Sequence, residues 1–147
     1  MKMYGIAKGK SFQKQIEMLR DGENGGSKTY YQLAYWANQL GYPELVEAIL
    51  KNAMEDSYHG GKYSVMLGEG VANEEAFKKV CMAMYQAEAG AEGPLTEMAK
   101  AVRESGEEGA DMIADEIMET IPEEIGHAKN LEAAFETIGW DFEKLNK

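Results

Sequence analysis

The stretch Ile113-Ala114-Asp115-Glu116-Ile117-Met118-Glu119-Thr120-Ile121-Pro122-Glu123-Glu124-Ile125-Gly126-His127-Ala128-Lys129-Asn130-Leu131-Glu132-Ala133-Ala134-Phe135-Glu136-Thr137-Ile138 decides how the chain is read. Its seam steps by four and three through Ile113, Ile117, Thr120, Glu124, His127, Leu131, Ala134 and Ile138, the spacing of one face of an α-helix. At the middle of that otherwise apolar seam stand an acid and a histidine three residues apart. Unpaired carboxylates on a core-facing seam lose several kcal/mol of hydration each, of order, unless a cation compensates them.

The same pattern runs through the rest of the chain. One seam passes through Phe12, Ile16, Leu19, Glu23, Gly26, Tyr30, Leu33, Ala37 and Leu40; a second through Leu45, Ile49, Asn52, Asp56, His59, Tyr63 and Met66. A third takes Phe77, Cys81, Met84, Glu88, then Ala91 or Glu92, Leu95, Met98 and Val102. Punctuation separates them. Leu40-Gly41-Tyr42-Pro43 is a stop and restart, because Gly suits the position after a helix and Pro the first turn of the next. Gly68-Glu69-Gly70 ends the second segment, Asn73 looks like the cap of the third, and Ser105-Gly106-Glu107-Glu108-Gly109 ends it. The spacing predicts helical segments at about 11–40, 43–67, 73–104 and 108–138, then a tail with Trp140 and Phe142. The expected fold is all-α, an antiparallel four-helix bundle formed by residues 1–147 as one domain.

Composition narrows the function. Of 147 residues, 26 are acidic and 15 basic, a net charge of −11. That excludes the phosphate neutralisation on which nucleic-acid binding depends, and disfavours an anionic membrane surface. No apolar run is long enough to span a bilayer, and Met1-Lys2-Met3-Tyr4-Gly5-Ile6 lacks a signal-peptide core. A single cysteine, Cys81, excludes an internal disulfide framework and is expected to be a buried inert thiol. A cytoplasmic location is the expectation.

The acids fall in register. A hairpin about residues 40–41 puts Glu23 level with Asp56, and one about residue 107 puts Glu124 level with Glu88 and Glu92. No Lys or Arg occupies these seams, so a metal is the expected cation. The chain's two histidines each follow an acid by three residues, in Asp56-Ser57-Tyr58-His59 and Glu124-Ile125-Gly126-His127. Residues at that spacing share a helix face, so a carboxylate and an imidazole can reach one ion. Gly22, Gly25, Gly26, Gly60, Gly61, Gly90, Gly93 and Gly126 cluster near these positions, where they make room or mark helix breaks. Gly93-Pro94 is expected to kink the third segment. Pro122 raises a break in the fourth, with Thr120 and Glu123 as a restarting capping box.

Here the chain resembles the rubrerythrins, within the ferritin-like di-iron carboxylate proteins. The resemblance is carried by Glu23-Asn24-Gly25-Gly26-Ser27-Lys28-Thr29-Tyr30-Tyr31-Gln32-Leu33-Ala34, by Glu124-Ile125-Gly126-His127-Ala128-Lys129, and by Thr96-Glu97-Met98-Ala99-Lys100. It implies a ferritin-like bundle with metal ligands Glu23, Asp56, His59, Glu88, Glu124 and His127. Asp56 stands where the family has the longer Glu. On the third segment Glu88 and Glu92 lie four apart rather than three, so Glu92 is a second or alternative ligand, or a proton donor, and Tyr30 a hydrogen-bond partner of a ligand. The cysteine pairs of a rubredoxin module are absent.

The resemblance implies two iron ions, with Mn or Zn as alternatives, and reduction of hydrogen peroxide or dioxygen. It also implies an external electron donor such as a rubredoxin-like protein, and a homodimer. The competing expectations are ferritin-like iron oxidation and storage, and a non-enzymatic bundle with a degenerate site.

Overall fold

The computed structural model describes residues 2–140; Phe142, which the sequence places in the tail, lies outside the described residues. Five helices and no strand are present among them: α1 (Gln13–Gln39), α2 (Pro43–Leu67), α3 (Glu74–Ala89), α4 (Glu92–Glu104) and α5 (Ala110–Thr137). The chain is all-α, as the periodicity predicts. None of these helices is long and apolar enough to cross a membrane.

The expected third segment is two helices. The bend falls at Gly90-Ala91, ahead of Gly93-Pro94, and the reason is the proline. A helix running through would need Pro94 to donate to the Gly90 carbonyl, but proline has no N–H and its ring collides with that carbonyl. The chain therefore turns at Gly90 and restarts at Glu92, leaving Pro94 in the first turn of α4, where a missing N–H costs nothing. Pro122 acts differently. Helix α5 runs unbroken through it, and the Thr120 hydroxyl donates to the Ile117 carbonyl at 2.8 Å instead of forming a restarting cap.

The described chain divides into two compact units, Met1–Asn73 and Glu74–Lys147. In the first, α1 and α2 form an antiparallel hairpin about a three-residue turn. Gly41 takes a φ of 77°, and the Tyr42 amide reaches back to the Ala37 carbonyl at 2.9 Å, satisfying an otherwise orphaned group at the helix end. The buried residues of α1 and α2 are mostly small: Ser27, Ala34, Ala37, Ala53 and Gly60, with Leu67. Small residues let the two backbones approach closely. Residues 2–12 cap the far end of α2. The Gly5 and Ala7 amides donate to the Val65 and Met66 carbonyls, and the Tyr4 hydroxyl donates to the carbonyl of Gly68. Gly68, at a φ of 79°, ends α2 in the left-handed conformation that favours glycine.

In the second unit α5 packs on both α3 and α4. Arg103, in the last turn of α4, pairs with Asp111 at 3.2 Å and Asp115 at 2.5 Å at the start of α5. At the other end the chain turns at Gly139 and lays the Trp140 ring on Phe135, stacked at 5.4 Å, and edge-on to Phe77 at 5.9 Å. This aromatic cluster ties α3 to the end of α5.

The seams are only partly buried. Leu19 and Leu33 of the first unit, and Phe77, Met84 and Ile113 of the second, are all exposed. A helix with few close neighbours covers only part of its apolar stripe, so these large residues stay open although Leu67, Met82, Ile121 and Phe135 are buried.

Two glycines of α2 and its end set a test. Gly61 has nothing within 4 Å of the place its Cβ would occupy, whereas Gly68 needs its positive φ and faces the Gly5 Cα at 3.3 Å. Urea denaturation of the metal-free chain should show Gly61→Ala stabilising by up to about 1 kcal/mol. Gly68→Ala should destabilise by about 1–2 kcal/mol.

Candidate metal centres

Each unit assembles one cluster of three metal-ligating side chains from two of its helices. In the first, Glu23 comes from α1, and Asp56 and His59 from consecutive turns of α2. In the second, Glu88 comes from α3, and Glu124 and His127 from α5. Within each trio the three donor atoms lie within 4.8 Å of one another. Glu23 thus meets Asp56 and Glu88 meets Glu124, whereas Glu92, which the register arithmetic also sets level with Glu124, joins neither trio.

The first trio depends on a close approach of helices. A Cβ built on Gly60 would fall 2.2 Å from the Asn24 side-chain oxygen, and one built on Gly26 would fall 3.0 Å from Asp56 Oδ2. Both glycines are therefore spaces filled from across the interface: Asn24 of α1 occupies the notch over Gly60, and the Asp56 carboxylate of α2 the notch over Gly26. Asn24 and Gly60 are the immediate neighbours of Glu23 and His59, so this interlock sets the separation at which those side chains face each other. His59 Nδ1 stands 3.8 Å from Glu23 Oε1.

The second trio is held by its own carboxylates. Glu88 and Glu124 share a hydrogen bond that raises the Glu88 pKa above the usual glutamate value and lowers that of Glu124. Burial and the Glu124 charge push Glu88 further up, while His127 acts in the opposite direction. His127 Nδ1 lies 3.5 Å from Glu88 Oε2 and 3.5 Å from Glu124 Oε2.

Two ligands on one ion, each bonded at roughly 2.1 Å, stand about 3.0–3.4 Å apart at octahedral or tetrahedral angles. The imidazole–carboxylate separations of 3.5–3.8 Å lie just beyond that range, so the geometry is compatible with one ion per trio. The donor set, two carboxylates and one imidazole, fits Fe, Mn or Zn. Three protein ligands would leave positions open on a bound ion, and the two histidine side chains are 41% and 55% exposed.

Other expected residues fall outside these trios. Glu92 is exposed at the first position of α4, beyond the Gly90 turn, and belongs to neither cluster. Tyr30 is half-buried on α1, two turns from Glu23, and among the described residues its hydroxyl has no hydrogen bond to a ligand. Cys81 is half-buried rather than fully enclosed. Of the glycines near the ligands, Gly22, Gly25, Gly61, Gly93 and Gly126 face open space, so the room-making role belongs to Gly26 and Gly60. The partner of that role, Asn24, has no periodic or motif signature; only its place beside Glu23 points to it.

Two substitutions test this geometry. Gly60→Ala must push Asn24 out of its notch and should destabilise the metal-free chain by about 1–3 kcal/mol in urea. Adding Asn24→Ala, which empties the notch, should recover most of that loss. Glu88→Gln keeps the size of the side chain and can donate a hydrogen bond to Glu124, so metal-free melting should stay near the parent's. Divalent metal affinity at this trio should fall at least tenfold, because a charged ligand is gone. The parent should lose affinity there as pH falls: the ion displaces a proton from Glu88, whose raised pKa brings that competition in at higher pH than an ordinary glutamate would.

Comparison with known proteins adds one relative. Over 132 residues the chain is 28% identical to an uncharacterized protein of Methanocaldococcus jannaschii, covering 86% of each chain. No family model matches the sequence, and no solved structure matches it.

Proposed function

We propose that this protein is a non-haem di-iron carboxylate protein of ferritin-like, rubrerythrin-like type that reduces hydrogen peroxide or dioxygen. The observation that supports this reading most is the pairing of two chemically alike trios, each a Glu from one helix with an acid-x-x-His pair from another. Accidental clusters of exposed acids have no reason to recruit the chain's only two histidines, one each, at the same offset. The four acids Glu23, Asp56, Glu88 and Glu124 carry a charge of −4 when ionised, which two divalent ions balance.

When bound, two ferrous ions supply the two electrons that cleave an O–O bond; with two protons, hydrogen peroxide becomes two waters. The chain's own residues bind and orient. His59 and His127 would each offer an imidazole nitrogen to a metal, and the four carboxylates set the charge. Glu88, whose pKa is raised by its hydrogen bond with Glu124 and by burial, would bind a metal in competition with a proton. Glu92 and Tyr30 lie outside the trios, so their proposed part is limited to proton delivery. An external donor such as a rubredoxin-like protein would return the electrons, and the four-helix bundle and homodimer belong to the same proposal.

Stopped-flow mixing tests the reading. The iron-loaded, reduced protein should change absorbance rapidly with hydrogen peroxide and more slowly with dioxygen. No change with either oxidant would overturn it. Uptake of many ferrous ions per chain, with oxidation by dioxygen preferred, would favour iron storage instead.

A further inference from the structure

We infer that the outer face of α2 carries a binding groove for a single fatty carboxylate, with an apolar floor for its chain and the ammonium of Lys62 at the rim for its head group. The groove lies on the side of α2 opposite the first trio, and binding there needs no metal.

Helical geometry separates the two faces. Asp56, His59 and Gly60 turn towards α1, where Gly60 meets Asn24. Ser57, Tyr58, Gly61 and Val65 lie about half a turn round the helix, on the face turned away from α1. With Met3, Lys62 and Met66 they enclose about 580 Å³, within the roughly 300–1,000 Å³ of small-ligand sites.

The walls of the groove are fixed by the backbone. One wall is α2. The other is the segment at Met3, which is tied to the end of α2 where the Gly5 amide donates to the Val65 carbonyl at 2.9 Å and the Ala7 amide to the Met66 carbonyl at 2.8 Å. Between them Gly61 leaves the floor open, since nothing lies within 4 Å of the place its Cβ would take. The Ser57 hydroxyl is already donated to the Ala53 carbonyl at 2.8 Å, so it adds little polarity to the lining. Met3 and Tyr58 are exposed, and so are Met54 and Leu50, one and two turns before Tyr58 on the same face. Together they form an apolar track suited to an extended chain.

Lys62 gives the groove its sign. Its Nζ stands 5.3 Å from the centre of the Tyr58 ring, whose face attracts an ammonium without neutralising it. Among the described residues Lys62 forms no ion pair, in a chain where acids outnumber bases 26 to 15. An anionic head complements that charge, and a cationic one would be repelled. The net charge of −11 disfavours an anionic membrane surface, so the occupant is a single molecule rather than a bilayer.

Calorimetric titration of the full-length chain with decanoate, below its micelle concentration, tests this. One molecule should bind per chain, with a Kd of about 0.1–1 mM. Affinity should rise about twofold per methylene from hexanoate to decanoate, because a part-open groove recovers about half of each methylene's transfer free energy. Acetate, which has the head group without the chain, should not bind; this separates the groove from any carboxylate held by a metal. Lys62→Gln should weaken decanoate about twofold to fivefold, the worth of an exposed ion pair, and leave the gain per methylene unchanged. Gly61→Leu fills the floor with a better helix former and should abolish binding, with helicity by circular dichroism kept. Decanoate that binds no more tightly than acetate, or as tightly to both variants as to the parent, would overturn the inference. So would a parent that binds no decanoate and sediments as a dimer that Gly61→Leu splits, which would assign this face to a second copy of the chain.

Discussion

Like charges on neighbouring helices repel, and a helix pair that sets a carboxylate from each side at one spot must solve that repulsion before it can fold. The two units arrange these groups differently. In the first, Gly26 and Gly60 let α1 and α2 approach closely, with Asp56 and Asn24 filling the missing Cβ positions, and His59 stands beside Glu23. In the second, a hydrogen bond between Glu88 and Glu124 raises the pKa of Glu88, which eases its repulsion of Glu124. An ion would neutralise the acids of either trio, so its binding energy would also be folding energy.

The energetic setting makes such a contribution matter. The buried residues of α1 and α2 are mostly Ala, Gly and Ser, which bring little apolar area to the interface. Several large seam residues stay exposed in each unit. Electrostatic and metal contributions of a few kcal/mol would then be a large share of the stability of a domain, which is usually about 5–15 kcal/mol in total.

Much of this was legible in the sequence, for definite reasons. The three-four spacing of seams such as Ile113 to Ile138 specifies helices, and Gly41-Pro43 specifies a tight turn, so the register that pairs Glu23 with Asp56 follows from counting. Histidines three residues after an acid identify a shared helix face. What stayed hidden depends on three-dimensional packing. The break that Gly93-Pro94 announced falls earlier, at Gly90, because Pro94 cannot donate to the carbonyl four residues before it, whereas Pro122, chemically the same signal, is absorbed within α5. Glu92 resembled a ligand because a continuous helix would keep it in phase with Glu88, and the turn removes that phase. Asn24 could not be found from one sequence, since its role exists only against Gly60 of another helix.

Metal content of the protein as it is made in iron-supplemented cells, purified without chelator, tests the central claim most directly. Elemental analysis should find about two transition-metal ions per chain. A chain that carries no transition metal, with both trios intact in sequence and its helices folded, would contradict the account.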